Sequence, residues 1–319
     1  MNENKIPHTK NALVSFSEAI ENVADKVSQS VVSVRSKTRG IGSGVVWTSD
    51  GLIVTCNHIV RKLDELEVSF SNGKSFPANV IGNDPYSDIA LLKIQANDKN
   101  DSISLIPIEI GDSENLKAGQ FVLALANPYG EYPSITEGII TSERSSLGGG
   151  WWGGITNNIV ITDARLNPGY SGGPLVDVEG KMIGLNAAYV SSRGIAIRAS
   201  KIRNITDQLA KYGAIKIAYL GVVTDEISLP REVGAQLEPS QEEGLMVLSV
   251  EKDTPAKKAG LLLGDIIIGF DAQPIANIHD LRRQLLNQDV IGKSVKLTII
   301  RGEKKSEITI TPRESSGSN

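Results

Sequence analysis

The sequence predicts a mainly β protein in two parts, an all-β barrel or sandwich followed by a small α+β domain. Three observations carry this. Short β-type runs recur from Val31 to Arg198, separated by turn signals such as Ser49-Asp50-Gly51, Ser71-Asn72-Gly73-Lys74 and Asn83-Asp84-Pro85. Glycine is abundant, 31 of 319 residues, while aromatics make up 5%, which suits short strands and tight turns better than helical bundles. Composition shifts across residues 214–217, and a second unit of about 95 residues follows, a reasonable size for a small domain.

The elements follow in order. Residues 1–13 read as a flexible arm. Phe16, Ile20, Val23 and Val27 then recur at helical spacing, with Ser15 or Ser17 available as N-cap. Strand runs come next at 31–34, 44–47, 52–55, 67–70, 78–81 and 89–94. They continue at 121–125, 138–141, 159–162, 174–176, 182–186 and 195–198. Gly148 to Gly154, with Trp151 and Trp152 inside it, breaks the pattern and reads as a mobile loop. A helix is expected over 199–212, with Gly213 as its C-cap. The second unit shows strands at 245–250, 266–270, 295–300 and 307–311, helices at 255–259 and 278–286, and a charged hairpin turn at 301–305.

Composition bounds the function. The chain is 40% hydrophobic and 22% charged, far from the disordered corner. Its net charge is −4 and no long basic run occurs, so the footprint of a nucleic-acid binder is missing. Cys56 is the only cysteine, which excludes an internal disulfide and reads as a small buried hydrophobe. The start has no apolar core of signal-peptide length, and no stretch approaches the roughly 20 apolar residues of a membrane span. As written, the protein is expected to be soluble and to stay where it is made, in the cytoplasm.

The chemistry begins at Gly169-Tyr170-Ser171-Gly172-Gly173-Pro174. A serine hydroxyl is a poor nucleophile at neutral pH and needs a base and donors for the oxyanion. Glycines on either side let the backbone bend until the N–H groups of Gly169 and Ser171 converge. Of three histidines, His8 lies in the arm and His279 opens a helix of the second unit. His58, just after an apolar strand, is the candidate base. Asp88 precedes the buried-looking run 89–94, where an unpaired charge would be costly and a histidine N–H would satisfy it. Asp84, between Asn83 and Pro85, competes but reads as a turn former. The order His58, Asp88, Ser171 is that in which the trypsin-like double β-barrel supplies its triad.

From about Phe16 to Pro312 the chain resembles the HtrA/Deg family of serine proteases. The resemblance lies in Gly42-Ser43-Gly44-Val45-Val46, Thr55-Cys56-Asn57-His58-Ile59-Val60, Asp84-Pro85 through Asp88-Ile89-Ala90, Ala126-Asn127-Pro128-Tyr129-Gly130 with Thr136-Glu137-Gly138, and Thr162-Asp163-Ala164 with Asn167 to Leu175. It implies a trypsin-like protease domain over 14–213, a linker at 214–218, a PDZ domain over 219–314 and a flexible tail at 315–319. It implies that Ser171 attacks the peptide carbonyl, that His58 moves its proton and that Asp88 holds the imidazole. Gly169 and Ser171 N–H groups bind the oxyanion, and no metal or organic cofactor is needed. Two departures stand out. Tyr170 replaces the family's usual asparagine, and Arg165 stands where a small residue is usual at the pocket floor. With Leu166, Asn186, Ala187 and Ala188 as walls, small apolar side chains are expected at the cleaved position; an inward Arg165 would instead favour acidic ones.

Tyr219-Leu220-Gly221-Val222 resembles the carboxylate-binding loop of PDZ domains, where glycine lets N–H groups converge on a terminal carboxylate. Ile278, Leu281 and Leu285 would line the opposite wall of a groove for apolar C-terminal peptides. The resemblance further implies a homotrimer, action on unfolded or damaged proteins in quality control, and a place in the cell envelope or periplasm. Two alternatives are a non-hydrolytic PDZ chaperone or scaffold and a processing protease of narrow specificity.

Overall fold

The computed structural model describes residues 11–36, 41–60, 65–85, 87–95, 104–142, 159–215, 217–235, 237, 240–302 and 304–315. The chain divides into two compact units, Met1–Ile215 and Lys216–Asn319. The glycine-rich stretch with Trp151 and Trp152 lies outside the described residues.

Unit one opens with helix α1 (Ala12–Ser28), which starts ahead of the expected Phe16 because Asn11, not Ser15 or Ser17, caps it by accepting the Leu13 N–H at 3.0 Å. Ala12 and Leu13, assigned from sequence to the arm, form its first turn. Strands β1 (Val31–Ser36), β2 (Ile41–Val46) and β3 (Leu52–Cys56) follow, then a single helical turn, α2 (Asn57–Val60). β4 (Leu66–Phe70), β5 (Ser75–Asp84) and β6 (Ile89–Ile94) complete a closed barrel in the order β1-β2-β3-β6-β5-β4. β7 (Phe121–Ala126), β8 (Ser134–Ser142), β9 (Ile159–Thr162), β10 (Pro174–Val176), β11 (Met182–Val190) and β12 (Arg193–Arg198) form a second closed barrel, β10-β11-β12-β9-β8-β7. Counted within each barrel, the two rings are the same ring. Closure leaves neither barrel with an exposed edge. Each strand run read from the sequence between residues 31 and 198 falls on one of these strands.

Period-two geometry sorts the side chains. In β6, Ala90, Leu92 and Ile94 fill the first barrel, while Ile89 and Leu91 face the seam between the barrels. In β7, Val122, Ala124 and Ala126 fill the second barrel, while Leu123 and Leu125 face the seam. Both faces are buried, which is why such runs read as continuous apolar stretches. Helix α3 (Ala199–Tyr212) covers the seam with Ile202, Ile205 and Leu209 and ends at Gly213, whose φ of +72° gives the expected left-handed cap.

Unit two contains β13 (Ala218–Tyr219), β14 (Val222–Ser228), α4 (Arg231–Gly234), β15 (Glu243–Val250), α5 (Pro255–Lys258), β16 (Ile266–Phe270), β17 (Gln273–Pro274) and α6 (Ile278–Leu285). After a 3-10 turn at Gln288–Val290 come β18 (Val295–Arg301), β19 (Lys304–Ile310) and β20 (Arg313–Glu314). The sheet runs β14-β15-β16-β18-β19, with β17 on β16 and β13 paired to β20 apart from it. Edge strand β14 was not read from the sequence: Val-Val-Thr-Asp-Glu-Ile-Ser is polar and only half-buried, so its apolar signal is weak. The core gathers Leu245, Val247, Ile267, Phe270, Leu281, Leu297 and Ile299. Asp265, 1% exposed, is held by Arg301 through Nε to Oδ1 at 2.7 Å and Nη2 to Oδ2 at 2.8 Å. Among the described residues, no helix is long and apolar enough to cross a membrane.

Candidate active site

The position of His58 follows from where β3 stops. β3 pairs antiparallel with β6 so that Cys56 lies opposite Ile89. The next residues on each side are therefore neighbours, and Asn57 N–H donates to the Asp88 carbonyl at 3.0 Å. The turn α2 then brings the His58 ring over the Asp88 side chain. His58 Nδ1 sits 2.6 Å from Asp88 Oδ2, and His58 N–H donates to Oδ1 at 2.8 Å. Asp88 is 4% exposed, so its charge depends on these partners. Its φ of +56° is left-handed, at a cost of about 1–2 kcal/mol for a non-glycine residue. The three bonds over-determine that conformation, as is common where strain serves a site. Asp84, the rival carboxylate, instead accepts from Ser87 N–H at 3.2 Å and from its hydroxyl at 2.5 Å, a turn former as expected.

Ser171 lies on the turn before β10. Gly169 and Gly172 have φ of +92° and +85°. A Cβ on Gly172 would lie 2.0 Å from the Ser43 carbonyl oxygen and 2.4 Å from Thr55 Oγ1, so the turn is pressed against the first barrel. Two bonds join the turn to the histidine strand: Ser43 N–H donates to the Ser171 carbonyl at 2.9 Å, and Thr55 Oγ1 donates to the Ser43 carbonyl at 2.7 Å. The Ser171 hydroxyl itself donates to the Ala187 carbonyl at 3.1 Å. Cys56, fully buried, reaches the Asn186 carbonyl at 3.4 Å, and Gly172 N–H donates to the same oxygen at 2.8 Å. His58 and Asp88 are thus in direct contact at the end of β3, and the Ser171 turn is tied to β2 of the same barrel through Ser43, while its hydroxyl bonds to β11. Burial, and then the Asp88 charge, push the Cys56 thiol well above its usual pKa. Cys56, His58 and Asp88 place donor atoms within 4.8 Å of one another, a cluster in which Asp88 already binds the imidazole.

Of the expected pocket residues, Leu166 is buried, and the Cβ position of Gly194 on β12 is 3.2 Å from its Cγ. Asn186 and Ala187 are buried and Ala188 half-buried on β11. Arg165 is exposed, its carbonyl accepting the Thr136 hydroxyl at 2.8 Å. Tyr170 is 3% exposed and packs in the second barrel with Ala164 and Leu166. Burial raises its pKa, offset in part by a hydrogen bond with Thr136. The bonding of Ser43 and Thr55 was not read from the sequence. The only signal available was small and hydroxyl side chains beside glycine in strands, which is weak.

In unit two, the Leu220 carbonyl accepts from Ala256 N–H at 2.9 Å and the Gly221 carbonyl from Glu251 N–H at 3.0 Å. These two bonds fix the peptide planes that carry the Gly221 and Val222 N–H groups. Gly221 has φ +84° and a Cβ there would lie 2.3 Å from Thr254, which only glycine allows. Beyond the loop, β14 presents its free edge beside α6, where Ile278 N–H donates to Glu226 Oε1 at 3.0 Å. Leu281 is buried, Leu285 half-buried and Ile278 43% exposed. Tyr219, counted with the loop, turns its phenol to Glu251 Oε2 at 2.5 Å and carries Arg313 5.0 Å above its ring.

Comparison with known proteins identifies the family of each of the two domains. The chain matches the trypsin-like peptidase domain family over residues 42–185 and the PDZ domain family over 220–311. It is 33% identical over 281 residues to a probable periplasmic serine endoprotease DegP-like of Pseudomonas putida, covering 86% of this chain and 56% of that protein. It is 33% identical over 290 residues to the periplasmic serine endoprotease DegP of Escherichia coli K12, covering 88% of this chain and 59% of that one. The chain thus spans a little over half the length of these relatives. Among solved structures, the HtrA-type protease AlgW with decapeptide is similar with a TM-score of 0.78 and 25% identity, over 93% of this chain and 99% of that one. A serine endoprotease from Yersinia pestis is similar with a TM-score of 0.73 and 27% identity, over 92% and 97%. A double barrel with a histidine–aspartate pair at its seam, a glycine-bounded serine turn and a following PDZ domain converge on one conclusion: the chain belongs to the HtrA/Deg family of trypsin-like serine proteases.

Proposed function

We propose that the protein is a serine endopeptidase acting on unfolded or damaged proteins. The observation that carries this is the 2.6 Å contact between His58 Nδ1 and Asp88 Oδ2, at the same seam as the Ser171 turn. With Nδ1–H donated to the carboxylate, Nε2 is the basic nitrogen. Ser171 Oγ exchanges the Ala187 carbonyl for Nε2 and attacks the scissile carbonyl. His58 takes the proton and later gives it to the leaving amine. Asp88 holds the tautomer and stabilises the imidazolium. The N–H groups of Gly169 and Ser171 bind the oxyanion. Exposure of Arg165 and burial of Leu166 favour small apolar side chains at the cleaved position.

The groove between β14 and α6 takes an apolar C-terminal segment as an added strand, its carboxylate on the Gly221 and Val222 amides. This recruits substrate or activates the protease. A homotrimer and a place in the cell envelope are the assembly and compartment we infer, supported by the relatives' description as periplasmic.

Digestion of denatured casein, by wild type and by Ser171→Ala, with and without an apolar C-terminal peptide, tests the reading. The expected result is hydrolysis that vanishes in Ser171→Ala and responds to the peptide. Hydrolysis retained in Ser171→Ala would exclude the mechanism. A wild type that binds casein without cutting it would favour a chaperone or scaffold.

A further inference from the structure

A backbone oxyanion site works only if its peptide planes cannot turn. Here the N–H of Gly169 belongs to the Pro168–Gly169 plane, and glycine at φ +92° leaves that plane intrinsically free to rotate. Something must hold the residue from the other side, and Ser43 on β2 is placed to do so. It is fully buried, and its hydroxyl both donates and accepts. Ser43 Oγ donates its single proton to the Gly169 carbonyl at 2.8 Å and accepts the Asn127 N–H at 2.9 Å. Its backbone N–H donates to the Ser171 carbonyl at 2.9 Å. One first-barrel residue therefore pins the carbonyls on both sides of Tyr170.

The second grip of the hydroxyl matters equally. Asn127 and Pro128 begin the β7–β8 loop, and Pro128 Cβ would be 2.5 Å from a Cβ on Gly169. The loop is tied down in turn: Gly130 N–H donates to Asn127 Oδ1 at 3.0 Å, and Ser33 Oγ to the Pro128 carbonyl at 3.1 Å. The Tyr170 carbonyl accepts Gly173 N–H at 3.0 Å, which fixes the plane carrying the Ser171 N–H. The plane carrying the Gly169 N–H is limited by Pro128 packing and by the Ser43 bond on the adjoining carbonyl.

We propose that Ser43 is a positioning residue whose hydroxyl locks Gly169 in the conformation that aims its N–H at the oxyanion. The proposal rests on Ser171 as nucleophile and adds a requirement to it. Ser43→Ala leaves the half-buried Gly169 carbonyl and the buried Asn127 N–H without their shared partner. The oxyanion donor then pays for its own ordering in each turnover, so the loss falls on the transition state and not on substrate binding.

The experiment uses the full chain at a temperature where melting curves show every variant folded. Peptide hydrolysis gives kcat and KM. Inhibition by a tripeptide aldehyde ending in alanine is compared with inhibition by the corresponding amide, because only the aldehyde forms the tetrahedral adduct on Ser171. In Ser43→Ala, kcat falls about tenfold to a hundredfold with KM within about twofold, and the aldehyde loses its advantage over the amide by a similar factor. Wild-type kcat and an unchanged aldehyde-to-amide ratio overturn the proposal. Equal weakening of both inhibitors also overturns it, since that is general damage to the pocket. Where Ser43→Ala does not fold, Ser43→Cys, which keeps the shape but donates weakly, decides by the same two readings. Ser171→Ala is run alongside: hydrolysis retained there fails the nucleophile assignment, whereas wild-type behaviour of Ser43→Ala with a dead Ser171→Ala fails this proposal alone.

Discussion

Asp88 grips His58 at two points, its Oδ2 on the ring Nδ1 at 2.6 Å and its Oδ1 on the main-chain N–H at 2.8 Å. The main-chain bond fixes where the histidine begins, and the ring bond fixes which nitrogen carries the proton. A carboxylate that only balanced charge would not need both.

Asp88→Asn separates these tasks. The amide keeps shape and can still accept from the His58 N–H, but it no longer enforces the tautomer or stabilises the imidazolium. We expect kcat to fall about 10⁴-fold near neutral pH while the melting temperature changes little. Steady-state kinetics with a peptide substrate, beside a thermal melt, check this; a loss below tenfold would remove Asp88 from the mechanism.

Cys56 gives a prediction in pH. Its folded-state pKa is raised, first by burial and then by the Asp88 charge, so the folded protein keeps the thiol proton where the unfolded chain has lost it. Its contribution to stability is full below the unfolded pKa of about 8.5 and is lost as pH rises from there toward the folded value. The slope attributable to this group approaches about 1.4 kcal/mol per pH unit. Denaturant melts at pH 8.5 and pH 10 are therefore expected to show a smaller decline for Cys56→Ala than for wild type. The native thiol is also expected to resist a thiol reagent until denaturant is added.

Gly221→Ala tests the peptide groove apart from the protease. The new Cβ meets Thr254 at 2.3 Å in a backbone conformation that alanine disfavours. We expect binding of an apolar C-terminal peptide to weaken at least tenfold, with hydrolysis of a short peptide substrate unchanged. Calorimetric titration and a chromogenic assay read the two separately. Undiminished peptide binding would move the carboxylate site elsewhere.

Much was legible before any coordinates. The strand runs were, because seam and barrel strands bury both faces and read as apolar stretches between glycine-rich turns. His58, Asp88 and Ser171 stood out as candidates, because each is an unusual residue for its setting: a lone histidine after an apolar strand, a carboxylate before one, a serine among glycines; the structure joins the first two at 2.6 Å. The helix start at Ala12 was missed because Asn11 outcompeted the serines as cap, a choice that depends on backbone geometry. Edge strand β14 was missed because a half-buried polar strand lacks the alternation that betrays its neighbours.

Local pattern determined the elements, the order of the chemical groups and the two-part organisation, since propensity, periodicity and turn chemistry act over a few residues. The folded chain decided what meets what. That Cys56 pairs with Ile89, that Ser43 holds Gly169 and Asn127 together, and that Arg165 is exposed beside a buried Leu166 depend on strand register and barrel closure. Those contacts join residues tens of positions apart. Hydrogen bonds of that range exist only once the two barrels have closed and excluded water from the seam.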